Sequence, residues 1–95
     1  MATIELGGNI ALTGFEGIEP VQMIVLKKIV GSSVKGFAVN AKGYKRFELI
    51  LEKVGDQKKI KAILTAEPPV EAEGSKTNLF DALAVVIKII ETSLK

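Results

Sequence analysis

The chain has 95 residues, nearly half apolar and a quarter charged, which is enough for one modest core and one domain spanning residues 1–95. It contains neither cysteine nor histidine, which excludes disulfides, thiolate nucleophiles, zinc–thiolate centres and the commonest general base. The formal charge is only +2 but is unevenly spread: residues 21–47 carry Lys27, Lys28, Lys35, Lys42, Lys45 and Arg46 with no acid. Residues 1–20 carry Glu5, Glu16 and Glu19 with no base, and residues 67–81 set Glu67, Glu71, Glu73 and Asp81 against Lys76. Such a basic block is either the footprint of a polyanion or a solvated lysine face on a helix.

In chain order, residues 9–15 (NIALTGF) alternate apolar and small or polar residues as a strand does. Ile4 and Leu6 either extend that strand or form a separate arm across Gly7-Gly8. Glu19-Pro20 marks a helix start, with proline in the first turn and an acid near the positive end of the helix. Met23, Leu26, Ile29, Val30, Val34 and Phe37 then recur at helical spacing over residues 21–37. Within this helix, Gly31 and Gly36 have the spacing of a nucleotide-binding loop. Phe37 and Ala38, however, stand where such a loop needs lysine and a hydroxyl. Gly31 therefore implies close packing of the helix backbone or a weakened turn. A loop follows at residues 40–43.

Residues 44–54 (YKRFELILEKV) put Phe47, Leu49 and Leu51 on one face and Arg46, Glu48, Ile50 and Glu52 on the other. A turn at Gly55-Asp56-Gln57 leads into residues 58–67, with Ile60, Ala62 and Leu64 on the core face of an antiparallel hairpin. Pro68-Pro69 breaks that strand. Residues 70–73 form a short edge strand with Glu71 and Glu73 towards water. Thr77 or Asn78 caps the last helix, and Asp81 sits in its first turn. Apolar residues cover more than half of that helix, which must lie on a sheet and also touch a second helix or a second chain. The expected architecture is a two-layer α+β domain of order β-α-β-β-β-α. Its sheet is antiparallel-rich, with both helices on one face.

An enzyme would have to work with carboxylates, lysine and Tyr44. Glu71 and Glu73 share one face, but a solvent-facing pair lacks the burial that separates two carboxylate pKa values. Glu67, Glu71, Glu73 and Asp81 are either a weak site for a hard cation or a plain acidic surface. Tyr44 and Phe15 are either stacking platforms for bases or packing groups. The expectation is a non-enzymatic protein without a cofactor. Residues 1–8 (MATIELGG) lack a secretory pattern, and the most apolar stretch, residues 79–90, is short and interrupted by Asp81 and Lys88. A cytoplasmic protein without membrane contact is expected.

Several stretches resemble the ribosome hibernation promoting factor family, also called protein Y or ribosome-associated inhibitor A. They are NIALTG at residues 9–14, the lysine-bearing helix of residues 21–37, the paired FELILEK and KKIKAILTA, and the ending VEAEGSKTNLFDALAVVIKIIETSLK. The resemblance covers residues 9–95 and points to a branch of small stand-alone domains of archaeal type. It implies a fold similar to a double-stranded-RNA-binding domain and a place in the decoding channel of the small ribosomal subunit. There the family blocks messenger and transfer RNA under stress. The positions that would contact ribosomal RNA are Lys27, Lys28, Lys35, Lys42, Lys45 and Arg46, with Lys88 and Lys95 adding from the last helix. The chain departs from the family in balancing Lys88 and Lys95 with Asp81 and Glu91, and in mixing Glu48 and Glu52 with Lys59 and Lys61 on the sheet. The other reading is a protein-interaction module or a homodimer without RNA, favoured by the apolar last helix, by Ile24 and Val25 off the apolar stripe of the first helix, and by the near-neutral total charge.

Overall fold

A computed structural model describes residues 3–7 and 9–94. The elements run β1 (Thr3–Leu6), β2 (Ile10–Thr13), α1 (Pro20–Asn40), β3 (Arg46–Val54), β4 (Gln57–Thr65), β5 (Val70–Lys76) and α2 (Leu79–Ser93). The strands form one sheet in sequence order, β1-β2-β3-β4-β5. All neighbours are antiparallel except β2 and β3, which run parallel and are joined by α1. The fold is α+β, as expected, with one strand more than the expected order. Ile4 and Leu6 belong to a separate strand, and Asn9 makes the turn into β2 with φ 63°, a conformation asparagine tolerates better than most residues.

Alternation along the strands sorts the side chains into two faces. Leu12, Leu49 and Ala62 stand side by side on one face, as do Ile10, Phe47 and Leu64. All six are buried, together with Leu51, Ile60 and Ala72. Both helices cover this face. Leu26, Val30, Val34 and Phe37 of α1 are buried in the same core as Leu79, Leu83, Val86 and Ile90 of α2. Each large side chain so buried is worth about 1.5–3 kcal/mol.

The two helices meet the sheet differently. Over β3, α1 rests on bulk: the Phe37 and Phe47 rings lie 5.4 Å apart, tilted by 59°. Over β5, α2 comes down onto backbone. A Cβ built on Gly74 would lie 2.9 Å from Val85 Cγ1 and 3.2 Å from the Ala82 carbonyl oxygen. Gly74 thus sits inside β5, which runs on to Lys76, beyond the expected end at residue 73. Its missing side chain lets the helix approach.

Helix α1 begins with Pro20 as expected and continues past Phe37 to Asn40. Gly31 and Gly36 lie in unbroken helix, and a Cβ at either would meet nothing within 4 Å. Close packing at Gly31, one of the two readings its presence allows, is absent: the half-buried position borders an open hollow that it shares with Gly7, Ile10, Val34 and Tyr44. The Asn78 side chain caps α2, accepting from the Phe80 N–H at 2.8 Å and the Asp81 N–H at 3.3 Å. The apolar circumference of α2 is covered within the chain. Phe80, Val85 and Leu94 are half-buried, and Ile89 is the large apolar side chain it leaves exposed. Among the described residues, no helix is long and apolar enough to cross a membrane.

Candidate nucleic-acid interface

The basic residues fall into two sets that the fold places on opposite sides. Arg46, Lys59 and Lys61 point to the open face of the sheet, the face no helix covers, because they alternate along their strands with the buried Phe47, Ile60 and Ala62. Each is held by a carboxylate. Arg46 meets Glu5 at 2.9 Å and Glu48 at 3.3 Å, Lys59 meets Glu73 at 3.6 Å, and Lys61 meets Glu71 at 3.5 Å. The hydrogen bond to Glu5 is the main reason that the Arg46 guanidinium holds its proton even more firmly than usual. With Glu52 also on this face, carboxylates outnumber cations there.

The second set lies on the helix side. Lys27, Lys28 and Lys35 are exposed along α1, which contains no acidic residue. Lys42 and Lys45 are exposed in the loop after α1, and backbone bonds fix that loop. The Glu67 N–H donates to the Lys42 carbonyl at 2.8 Å, and the Lys45 N–H donates to the Thr65 carbonyl at 2.8 Å. Gly43 allows the bend with φ +69°, and a Cβ there would lie 3.1 Å from the Glu67 side chain. Among the described residues, no carboxylate comes within ion-pair distance of any of these five lysines. Lys88 is exposed on α2, on the same helical turn as Glu91, and Lys95 lies outside the described residues.

The expected RNA-contact residues are therefore not one surface. The structure brings Lys27, Lys28, Lys35, Lys42 and Lys45 onto the helix side and its end. Arg46, the first residue of β3, goes to the opposite face because it alternates with the buried Phe47 along the strand. Sequence reading missed three further lysines on the helix side. Lys53, Lys58 and Lys76 are direct cross-strand neighbours on β3, β4 and β5, and only the strand register reveals that they form a row.

Other candidates dissolve in the structure. Glu71 and Glu73 are paired with lysines on the open face, Glu67 lies in the loop beside Gly43, and Asp81 opens α2. Among the described residues no three such groups converge on a metal site. Phe15 is 1% exposed and serves the core. Tyr44 is half-buried against the core, with its hydroxyl donating to the Asn9 carbonyl at 3.4 Å. A groove of about 470 Å³ between the ends of α1 and α2 is lined by Ser32, Ser33, Gly36, Asn40 and Glu91, with no lysine, so it is no anion site.

Sheet, helices and charge together define a two-layer α+β fold with an internally neutralised sheet face. On its helix side, among the described residues, the lysines have no ion-pair partner and the exposed Glu16, Glu19, Glu67, Asp81 and Glu91 stand apart from them. Compared with known proteins, the chain matches no protein-family model and no curated sequence.

Proposed function

We propose that this protein is a non-enzymatic, cytoplasmic RNA-binding regulator that docks on small-subunit ribosomal RNA and inhibits or stores idle ribosomes. The observation that carries the reading is the partition of cations. The open sheet face neutralises its own, while Lys27, Lys28, Lys35, Lys42 and Lys45 face outward unpaired. A phosphate backbone is the partner such a surface suits, since RNA read by shape is held through phosphate and sugar contacts spread over a domain face. The ribosome is the partner implied by the sequence resemblance, and Lys88 is the contact α2 would add. Arg46 serves the fold and leaves the interface.

The test is co-sedimentation with purified small ribosomal subunits at low and high salt. Wild type is expected in the subunit peak at low salt, whereas K27E/K28E/K35E is expected to stay at the top of the gradient. Failure of folded wild type to enter that peak at any salt would remove the reading.

A second reading has its own observation. The outer surface of α1 exposes Val21 at 71%, Ile24 at 59%, Val25 at 44% and Val39 at 84%, apolar surface that phosphate does not need. That favours a protein partner or a second copy docking on α1, where Ile24 and Val25 already stand off the apolar stripe in the sequence. Light scattering decides about self-association. A dimer that I24S/V25S converts to monomer would support it, and a concentration-independent wild-type monomer would exclude it.

A further inference from the structure

Lys53, Lys58 and Lys76 stand directly opposite one another across three adjacent strands. They continue the alternation of Leu51, Ile60 and Gly74, so they point to the helix side of the sheet, at the edge of the core. Like charges in directly opposed cross-strand positions destabilise a sheet. Farther along the same strands the chain avoids this arrangement, where Glu71 and Glu73 face Ile63 and Lys61 and pair with Lys61 and Lys59. In the row there is no such relief: among the described residues no carboxylate lies within ion-pair distance of the three ammonium groups. The Lys58 ammonium instead donates to the Thr77 carbonyl at 3.4 Å, which holds the central member in place.

The topology also decides where the row lies. Because β2 runs parallel to β3, and β5 has the direction of β3, both helices start at the end of the sheet where the β3–β4 turn lies. Lys42 and Lys45 sit at the other end, about 26 Å away by the rise along β3, in a molecule 35 Å long. Lys27, Lys28 and Lys35 lie along α1 between the two.

We propose that Lys53, Lys58 and Lys76 form a second phosphate-contact site, so that an RNA backbone lies along the long axis of the helix side, anchored at both ends. This rests on the RNA reading above and extends it to three residues outside the basic block of residues 21–47. The site takes backbone phosphate without regard to base, because ammonium groups on flexible stems act as point charges.

Repulsion within the row makes stability and binding respond in opposite directions, which separates a contact role from a structural one. K58E places a carboxylate between two lysines, and K53Q/K58Q/K76Q removes the charges. Both are expected to melt no lower than wild type at low salt. Affinity for purified small subunits would be measured across a salt series beside K27E/K28E/K35E. The triple glutamine variant is expected to flatten the plot of log affinity against log salt by roughly two, at about 0.7–0.9 for each phosphate no longer neutralised. A wild-type slope in that variant, with binding by wild type still dependent on the α1 lysines, would overturn the second site and leave the RNA reading standing. If wild type binds no subunits at all, both fall together. Melting of K58E below wild type would show that the row is not held under repulsion, and would overturn the second site from the side of stability.

Discussion

The open face of the sheet and the helix side are built from the same strands, yet they treat charge in opposite ways. On the open face every arginine and lysine has a carboxylate beside it, with Ile50 and Ile63 half-buried among them. On the helix side the apolar residues are consumed by the core, and among the described residues the lysines at its margins have no carboxylate within ion-pair distance. Exposed ion pairs contribute little net stability and are screened by salt, so the pairing on the open face chiefly removes long-range attraction for other charged molecules. A formal charge of +2 therefore understates the molecule. Its charge is sorted by face, and the face with the unpaired cations is the one to probe for a partner.

The sharpest way to break this contrast is to unseat the helices. Phe47→Ala removes the ring beneath α1 and is expected to cost about 3–5 kcal/mol, whereas Ile50→Ala, half-buried on the open face, should cost about 1 kcal/mol; chemical denaturation of the two variants checks this. Binding should divide the faces more cleanly than stability does. K27E/K28E/K35E should flatten the salt dependence of subunit binding by roughly two or more with an unchanged melting temperature. R46Q should do the reverse, keeping the salt slope while melting slightly lower at low salt, a difference that added salt erases. Gly74→Ala is expected to cost about 1–3 kcal/mol by pushing α2 off β5, again read by denaturation. The smallest effect concerns pH. Burial raises the Tyr44 phenol above its ordinary pKa, with Arg46 opposing. The unfolded chain then releases this proton first, so the stability held by the neutral phenol is complete below about pH 10 and is lost as pH rises through the folded value. Y44F should lose less stability than wild type as pH rises above about 10, where the phenol of the unfolded chain titrates.

Much of this fold is legible in the chain. The period-two pattern of Phe47, Leu49 and Leu51 against Arg46, Glu48, Ile50 and Glu52 gives both faces of β3, and Pro20 and Asn78 mark both helix starts. Pairing is less legible. That β2 lies parallel to β3, or that Ile4 and Leu6 pair back onto β2, depends on which edges meet in space, and no local pattern encodes it. Gly74 looks like the end of a strand until the helix above it is placed. The site is legible only by halves. The lysines of α1 are visible as a run without acids, but the turning of Arg46 away from them follows only from its alternation with Phe47 in β3. The row of Lys53, Lys58 and Lys76 requires the register, which the turn sets. Two residues, Gly55 and Asp56, make that turn, and Gln57 already pairs with Val54. One residue more in the turn would send Lys58 to the other face.

The parallel seam between β2 and β3 also has a kinetic consequence. The β1–β2 hairpin and the β3–β4–β5 meander each close through short connections, but Ile10 reaches Phe47 only after all of α1 has been laid down. Closing long loops is entropically slow compared with closing short ones. The meander with α2 is thus the part able to assemble first, and β1, β2 and α1 join it late. Pulse-labelled hydrogen exchange during refolding should protect amides of β3–β5 before those of β2. In the folded molecule the same seam is where partial opening would begin, releasing β1, β2 and α1 as one cooperative unit.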